Sequence, residues 1–167
     1  MAEPKLEIFA AADKPTIETR RAVNAPRALV WDCFTKPEHV RRWMGPRGLD
    51  IVVCDLDMRA GGRWRMVHRG PDGTEFAFSG EIREVVRPER IVRTFVFEAF
   101  PDAEAVETLE LIESGAQTII KTLTVHQTLE GRDGHLKHGM EAGMKDGYSR
   151  LDELVASITR GGASASL

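Results

Sequence analysis

The run His135–Ile158 reads HLKHGMEAGMKDGYSRLDELVASI, and it decides how the rest of the chain is organised. Its apolar residues Leu136, Met140, Met144, Leu151, Leu154, Val155 and Ile158 fall within roughly 60° of one line on a helix surface. That periodicity predicts one continuous amphipathic helix. Three glycines interrupt it, Gly139, Gly143 and Gly147, the last near the middle of the apolar stripe. Each glycine inside a helix costs about 1 kcal/mol relative to alanine. Bare positions on a buried face either admit another backbone or leave space. Met140 and Met144 beside them are flexible side chains that adapt to what they touch. The expectation is a helix closing over a partly hollow interior, with Gly147 bordering the cavity.

Nearly everything before this helix reads as strand. Runs rich in Ile, Val, Thr and Phe cover Thr16–Val23, Leu49–Met58, Arg63–His68, Glu75–Val86, Ile91–Glu98, Ala105–Glu113 and Gln117–His126. Turn signals separate them: Gly61-Gly62, Pro71-Asp72-Gly73 and Ser114-Gly115-Ala116. Between the first two strands, Asn24-Ala25-Pro26 starts a short helix and Thr35-Lys36-Pro37 starts another. Short connections favour antiparallel pairing. A sheet of about seven twisted strands curls, and only the C-terminal helix is long enough to cover its concave face. The expected fold is α+β: a curved antiparallel sheet wrapped around a long C-terminal helix, with two short helices after the first strand. Residues 1–14 are expected as a flexible lead-in, 15–160 as one domain and 161–167 as a disordered tail.

Composition narrows function by exclusion. The 167 residues carry 23 bases against 26 acids, a net charge of −3 that gives no support to nucleic-acid binding. No run approaches the length of a membrane span, and with no basic segment followed by an apolar run at the N-terminus, no signal peptide is expected. Cys33 and Cys54 lie in apolar patterns and read as free thiols, consistent with a cytoplasmic protein.

The stretches Asn24-Ala25-Pro26-Arg27-Ala28-Leu29-Val30-Trp31 and Thr35-Lys36-Pro37-Glu38-His39-Val40-Arg41-Arg42-Trp43 resemble the opening of the SRPBCC superfamily, which includes START domains and polyketide cyclases. Met58-Arg59-Ala60-Gly61-Gly62-Arg63-Trp64-Arg65 and the run Gly80–Val92 are similar to bacterial homologues of the activator of the heat-shock-protein-ninety ATPase. The resemblance runs from about residue 16 to about residue 160. It implies the helix-grip fold. It also implies three functional classes: a binder of a small hydrophobic or amphipathic ligand, a cyclase or aromatase acting on an aromatic or polyketide-type substrate, and a chaperone-interacting module. The same folds host all three.

The chemistry-bearing residues divide similarly. Trp43, Met44, Trp64, Met66, Phe76, Phe78, Phe95, Phe97, Met140 and Met144 share inward phases and would either wall an apolar pocket or fill a core. Trp43 with the loop Gly45–Gly48 would form a lid. His68 and His126 end strand alternations and would act as polar anchors or acid–base groups. Glu81 would join them only if it points inward. His135 and His138 sit at i, i+3 but project away from the apolar stripe, toward solvent. With no HExxH, no paired cysteines and no phosphate loop, no metal or cofactor is expected. Binding without catalysis is the favoured expectation. A homodimer, through a sheet edge or the outer helix face, is a further expectation.

Overall fold

The structure, a computed structural model, describes residues 4–165. Eight strands form one antiparallel sheet in the order β1-β2-β8-β7-β6-β5-β4-β3. The strands are β1 (Glu7–Phe9), β2 (Thr16–Val23), β3 (Asp50–Leu56), β4 (Arg63–Arg69), β5 (Glu75–Val86), β6 (Arg90–Phe97), β7 (Ala105–Ser114) and β8 (Gln117–Val125). Helices α1 (Arg27–Thr35) and α2 (Pro37–Trp43) follow β2, and α3 (Leu129–Lys137) and α4 (Met140–Ala165) close the chain. Hairpins join β3 through β8 in sequence, while β2 reaches across to pair with β8. This is the helix-grip arrangement, with one strand more than the seven expected.

The extra strand lies in the supposed lead-in. β1 pairs with β2 from Glu7↔Arg20 to Phe9↔Glu18. What fixes this segment is Arg132 in α3, only 4% exposed. Its Nη1 donates to the carbonyls of Ala11, Lys14 and Thr16 at 2.7–3.0 Å. A buried guanidinium needs such acceptors, and here they come from the backbone leading into β2. At the other end, residues 161–165 continue α4 instead of forming a tail; residues 166 and 167 lie outside the described part.

The C-terminal helix is also not continuous. Thr128 caps α3, accepting from the Gly131 amide at 2.9 Å. The helix ends at Lys137, and α4 begins at Met140. Gly139 makes the break with φ +83°, a conformation that favours glycine. Its helix-interior penalty is therefore never incurred. Asn24, expected as a cap, accepts instead from the Gln117 side chain at 2.8 Å, and Pro26 occupies the capping position of α1.

Two buried clusters hold the fold. The larger joins Val23, Trp31, Trp43, Leu111, Ile120, Tyr148, Leu151, Leu154 and Val155, so it lies between α1, α4 and one end of the sheet. The smaller joins Val40, Ile51, Cys54, Trp64, Met66 and Ile82 under α2. Both cysteines are buried and free. No helix among the described residues is long and apolar enough to cross a membrane.

Candidate functional site: the open end of the grip

Strand register decides which side chains face the helices. Ile91 and Leu109 are core residues paired across β6 and β7, so Arg93, Phe95 and Phe97 share the inward phase with Glu107 and Ala105. By the same alternation Trp64, Met66 and His68 face inward from β4, Phe76 and Phe78 from β5, and Thr122 and Thr124 from β8. An inward residue in a filled core is fully buried. Phe78, Phe95, Phe97, Arg93, Glu107 and Thr122 face inward yet remain only half-buried. Water therefore reaches the concave face beside them.

The aromatic rings there form a connected strip. Trp64 stacks with Phe95 at 5.9 Å between ring centroids, Phe95 with Phe78 at 5.5 Å, and Phe78 with Phe97 at 5.1 Å. Phe97 continues to Phe76 and to Phe100, which is 60% exposed. On the helix side, the His135 ring stacks on Phe95 at 5.9 Å. A surface depression of about 500 Å³ opens where the β6–β7 loop meets the start of α3, lined by Phe100, Pro101, Ala103, His126, Thr128 and Gly131.

The polar groups in this end are arranged around the strip. His126 Nε2 and His135 Nδ1 lie 3.0 Å apart, so one donates and the other accepts. Burial holds the His126 pKa down to about 4, with His135 and Arg132 adding to the effect. Burial also lowers His135, although the Glu107 carboxylate opposes this. Both rings are thus neutral near pH 7. On the floor, Arg93 Nε donates to Glu107 Oε1 at 3.0 Å, and its guanidinium lies 4.1 Å from the Trp64 ring centroid.

The opposite end is full. Trp43 is 4% exposed, stacks on Tyr148 at 5.9 Å and donates from Nε1 to the Cys33 carbonyl at 2.8 Å. Burial raises the Tyr148 hydroxyl pKa well above its usual range, keeping it neutral.

The model of the family described as "Activator of Hsp90 ATPase homolog 1-like protein" matches residues 24–156. The chain belongs to this family. Among solved structures, a protein from Rhodobacter sphaeroides is similar with TM-score 0.85 at 24% identity, covering 92% of this chain and 99% of that one. A protein from Nitrosomonas europaea is similar with TM-score 0.77 at 27% identity, covering 89% and 98%. A protein from Mycobacterium smegmatis has TM-score 0.80 at 23% identity, covering 91% and 98%. No curated protein matches.

Within this family member, the residues singled out from sequence separate by position. Phe76, Phe78, Phe95, Phe97 and His126 gather at the open end. Met140, half-buried in the first turn of α4, belongs to neither core cluster. Met44 and Met144 pack at the margin of the larger cluster. Trp43 and Met66 are buried in the cores, and Trp64, also buried, touches the site through the face that carries Arg93. His68 is 7% exposed, lies edge-on to Phe78 at 5.7 Å, and has a buried Nδ1 without a hydrogen-bond partner among the described residues. Burial, then the nearby Arg150, lowers its pKa.

The expectations at Gly147 and at the Gly45–Gly48 loop are corrected. Gly147 borders no cavity: a Cβ there would stand 3.4 Å from the Trp43 carbonyl and the Gly45 amide, so its bareness admits a backbone. The Gly45–Gly48 loop is accordingly no lid. Arg150 donates to the carbonyls of Arg42 and Gly45, and Arg47 pairs with Glu153 at 2.8 Å, clamping the loop onto α4. Glu81 is exposed on the outer face of β5, opposite Arg63, so the inward orientation that its role required is not met. His135 also departs from the predicted solvent direction, because α3 is a separate helix with its own axis; His138 is exposed.

Sequence reading missed Arg93, Glu107 and Tyr148, and turned His135 toward solvent. The signal was present for two of them. Arg93 and Glu107 are charges in the apolar phase of neighbouring strands, in step with Ile91-Phe95-Phe97 and Ala105-Leu109-Leu111.

Proposed function

We propose that this protein binds one small apolar or amphipathic molecule at the open end of the grip, against Phe78, Phe95, Phe97 and His135. The observation that carries this is the partial exposure of inward-facing rings where the other end is packed shut. Rings in contact with water favour an apolar partner by about 25 cal/mol per Å² covered, less the cost of ordering the partner. The depression beside Phe100 and His126 would serve as the entrance. The buried free thiols fit a reducing cytoplasmic setting. The test is native mass spectrometry of protein purified from its own host. A co-purifying small molecule lost from Phe95→Ala supports the reading. Protein of bare mass that takes up no aromatic probe overturns it.

A second reading, proton transfer on a bound aromatic ketone, is favoured by the His126–His135 contact alone. Deuterium uptake beside the ketone carbonyl would reveal it, and rates unchanged in both His126→Ala and His135→Ala would remove it. The chaperone contact raised by the family's description is tested by pull-down with the purified chaperone at low salt.

A further inference from the structure

The Arg93–Glu107 pair has hydrogen-bonding capacity left over, and both residues lie on the concave face of the sheet. Arg93 Nε and Nη2 both approach the same oxygen, Glu107 Oε1, at 3.0 and 2.9 Å. Glu107 Oε2 and Arg93 Nη1 make no hydrogen bond among the described residues. The two side chains face the interior of the grip yet keep 15% and 23% of their surface accessible. Glu107 Oε2 is therefore an unpaired acceptor on a floor that Trp64, Phe95 and His135 border, while Arg93 Nη1 lies on the guanidinium edge turned away from the carboxylate.

We propose that the molecule held here is an uncharged aromatic compound bearing a hydroxyl group, selected by Glu107 and Arg93 over bare hydrocarbons and over carboxylates. This rests on the ligand-binding reading above. A hydroxyl donates to Oε2, the acceptor that Arg93 leaves unpaired. A hydrocarbon would strip water from both groups and replace nothing, the costly case for a polar site. A carboxylate has acceptors only, and it would meet the Glu107 charge at close range in a partly dehydrated space. The cations around the floor are already engaged: Arg93 by Glu107, Arg21 by Asp152 at 2.6 Å, and Arg132 by Asp133 and three carbonyls. His126 and His135 are uncharged at neutral pH. Among the described residues, the cations around the floor are thus each paired with a carboxylate.

The experiment titrates the full chain with 2-naphthol, naphthalene and 2-naphthoate, following the His135 ring signals by NMR. The wild-type protein is expected to bind 2-naphthol about tenfold or more tighter than either analogue. In E107Q the preference for 2-naphthol over naphthalene narrows, because a neutral amide costs less to dehydrate and accepts a weaker hydrogen bond than a carboxylate. Glu110→Gln, on the outer face of the same strand, leaves the preference intact. Should E107Q fail to fold by thermal melting, the wild-type ranking decides alone. Equal affinity for all three, or tightest binding of 2-naphthoate, overturns the assignment while leaving a binding site in place. No response to any probe removes the binding reading, and the assignment with it.

Discussion

The two ends of the grip are built from the same residue types and differ in how completely they are filled. At the closed end Trp43, Tyr148, Leu151 and Leu154 are each no more than 5% exposed, and the α2 loop lies backbone-to-backbone on Gly147. At the open end Phe78, Phe95 and Phe97 point inward from the same sheet but stay half-buried. The cause is the break at Gly139. A continuous helix would carry α4's apolar stripe along the whole concave face. α3 instead packs on β2 as a separate short helix, and it sets His135, stacked on Phe95, against the inward rings. Aromatic and methionine content therefore says little about where a cavity lies; the point at which the covering helix breaks says much more.

That contrast is broken most directly at Trp43. Trp43→Ala would empty a stacked, hydrogen-bonded core position and is expected to cost about 3–5 kcal/mol, read by urea unfolding. Phe95→Ala at the open end should cost clearly less, since part of the ring is already in water. Equal losses would erase the distinction. Next in size is Gly147→Leu, which forces a side chain into the Trp43–Gly45 backbone and should cost about 1–3 kcal/mol as overpacking. If that variant melts like the parent, the loop is not held against α4.

The histidines sharpen the comparison through pH. His68, His126 and His135 have folded-state pKa values below 6.5, so the unfolded chain binds more protons below that point. Their contribution is fully present above about pH 6.5 and is lost as pH falls toward 4, by up to roughly 1.4 kcal/mol per pH unit for each proton taken up. Melting temperature should drop between pH 6.5 and 5, and His126→Asn should flatten the drop. A wild-type profile flat over that interval contradicts the buried, neutral pair. The smallest effect belongs to Gly143→Ala. A Cβ there meets only Pro46 Cδ at 3.8 Å, ordinary contact, so the gain in helix propensity should raise stability by about 1 kcal/mol.

The strand pattern was readable because alternation and turn residues are local properties. Trp64-Met66-His68 and Phe95-Phe97 announce their inward phase without help from the rest of the chain. The break in the covering helix was not readable. Leu136 and Met140 keep helical phase across it, and Gly139 permits either a helix interior or a turn. Gly147 was ambiguous for a different reason: one missing Cβ serves a void or a close backbone equally well, and only the distant Trp43–Gly45 segment decides. β1 escaped notice because it has only three residues, and the segment that follows it is anchored by an arginine more than 115 positions away.

The most direct test of the half-filled grip is a naphthalene titration of the full chain, comparing the His135 ring signals with the methyl signals of Leu151. Saturable shifts at His135 with Leu151 unmoved are the predicted result. Shifts at Leu151, or a silent His135 under conditions where the probe binds, would contradict it.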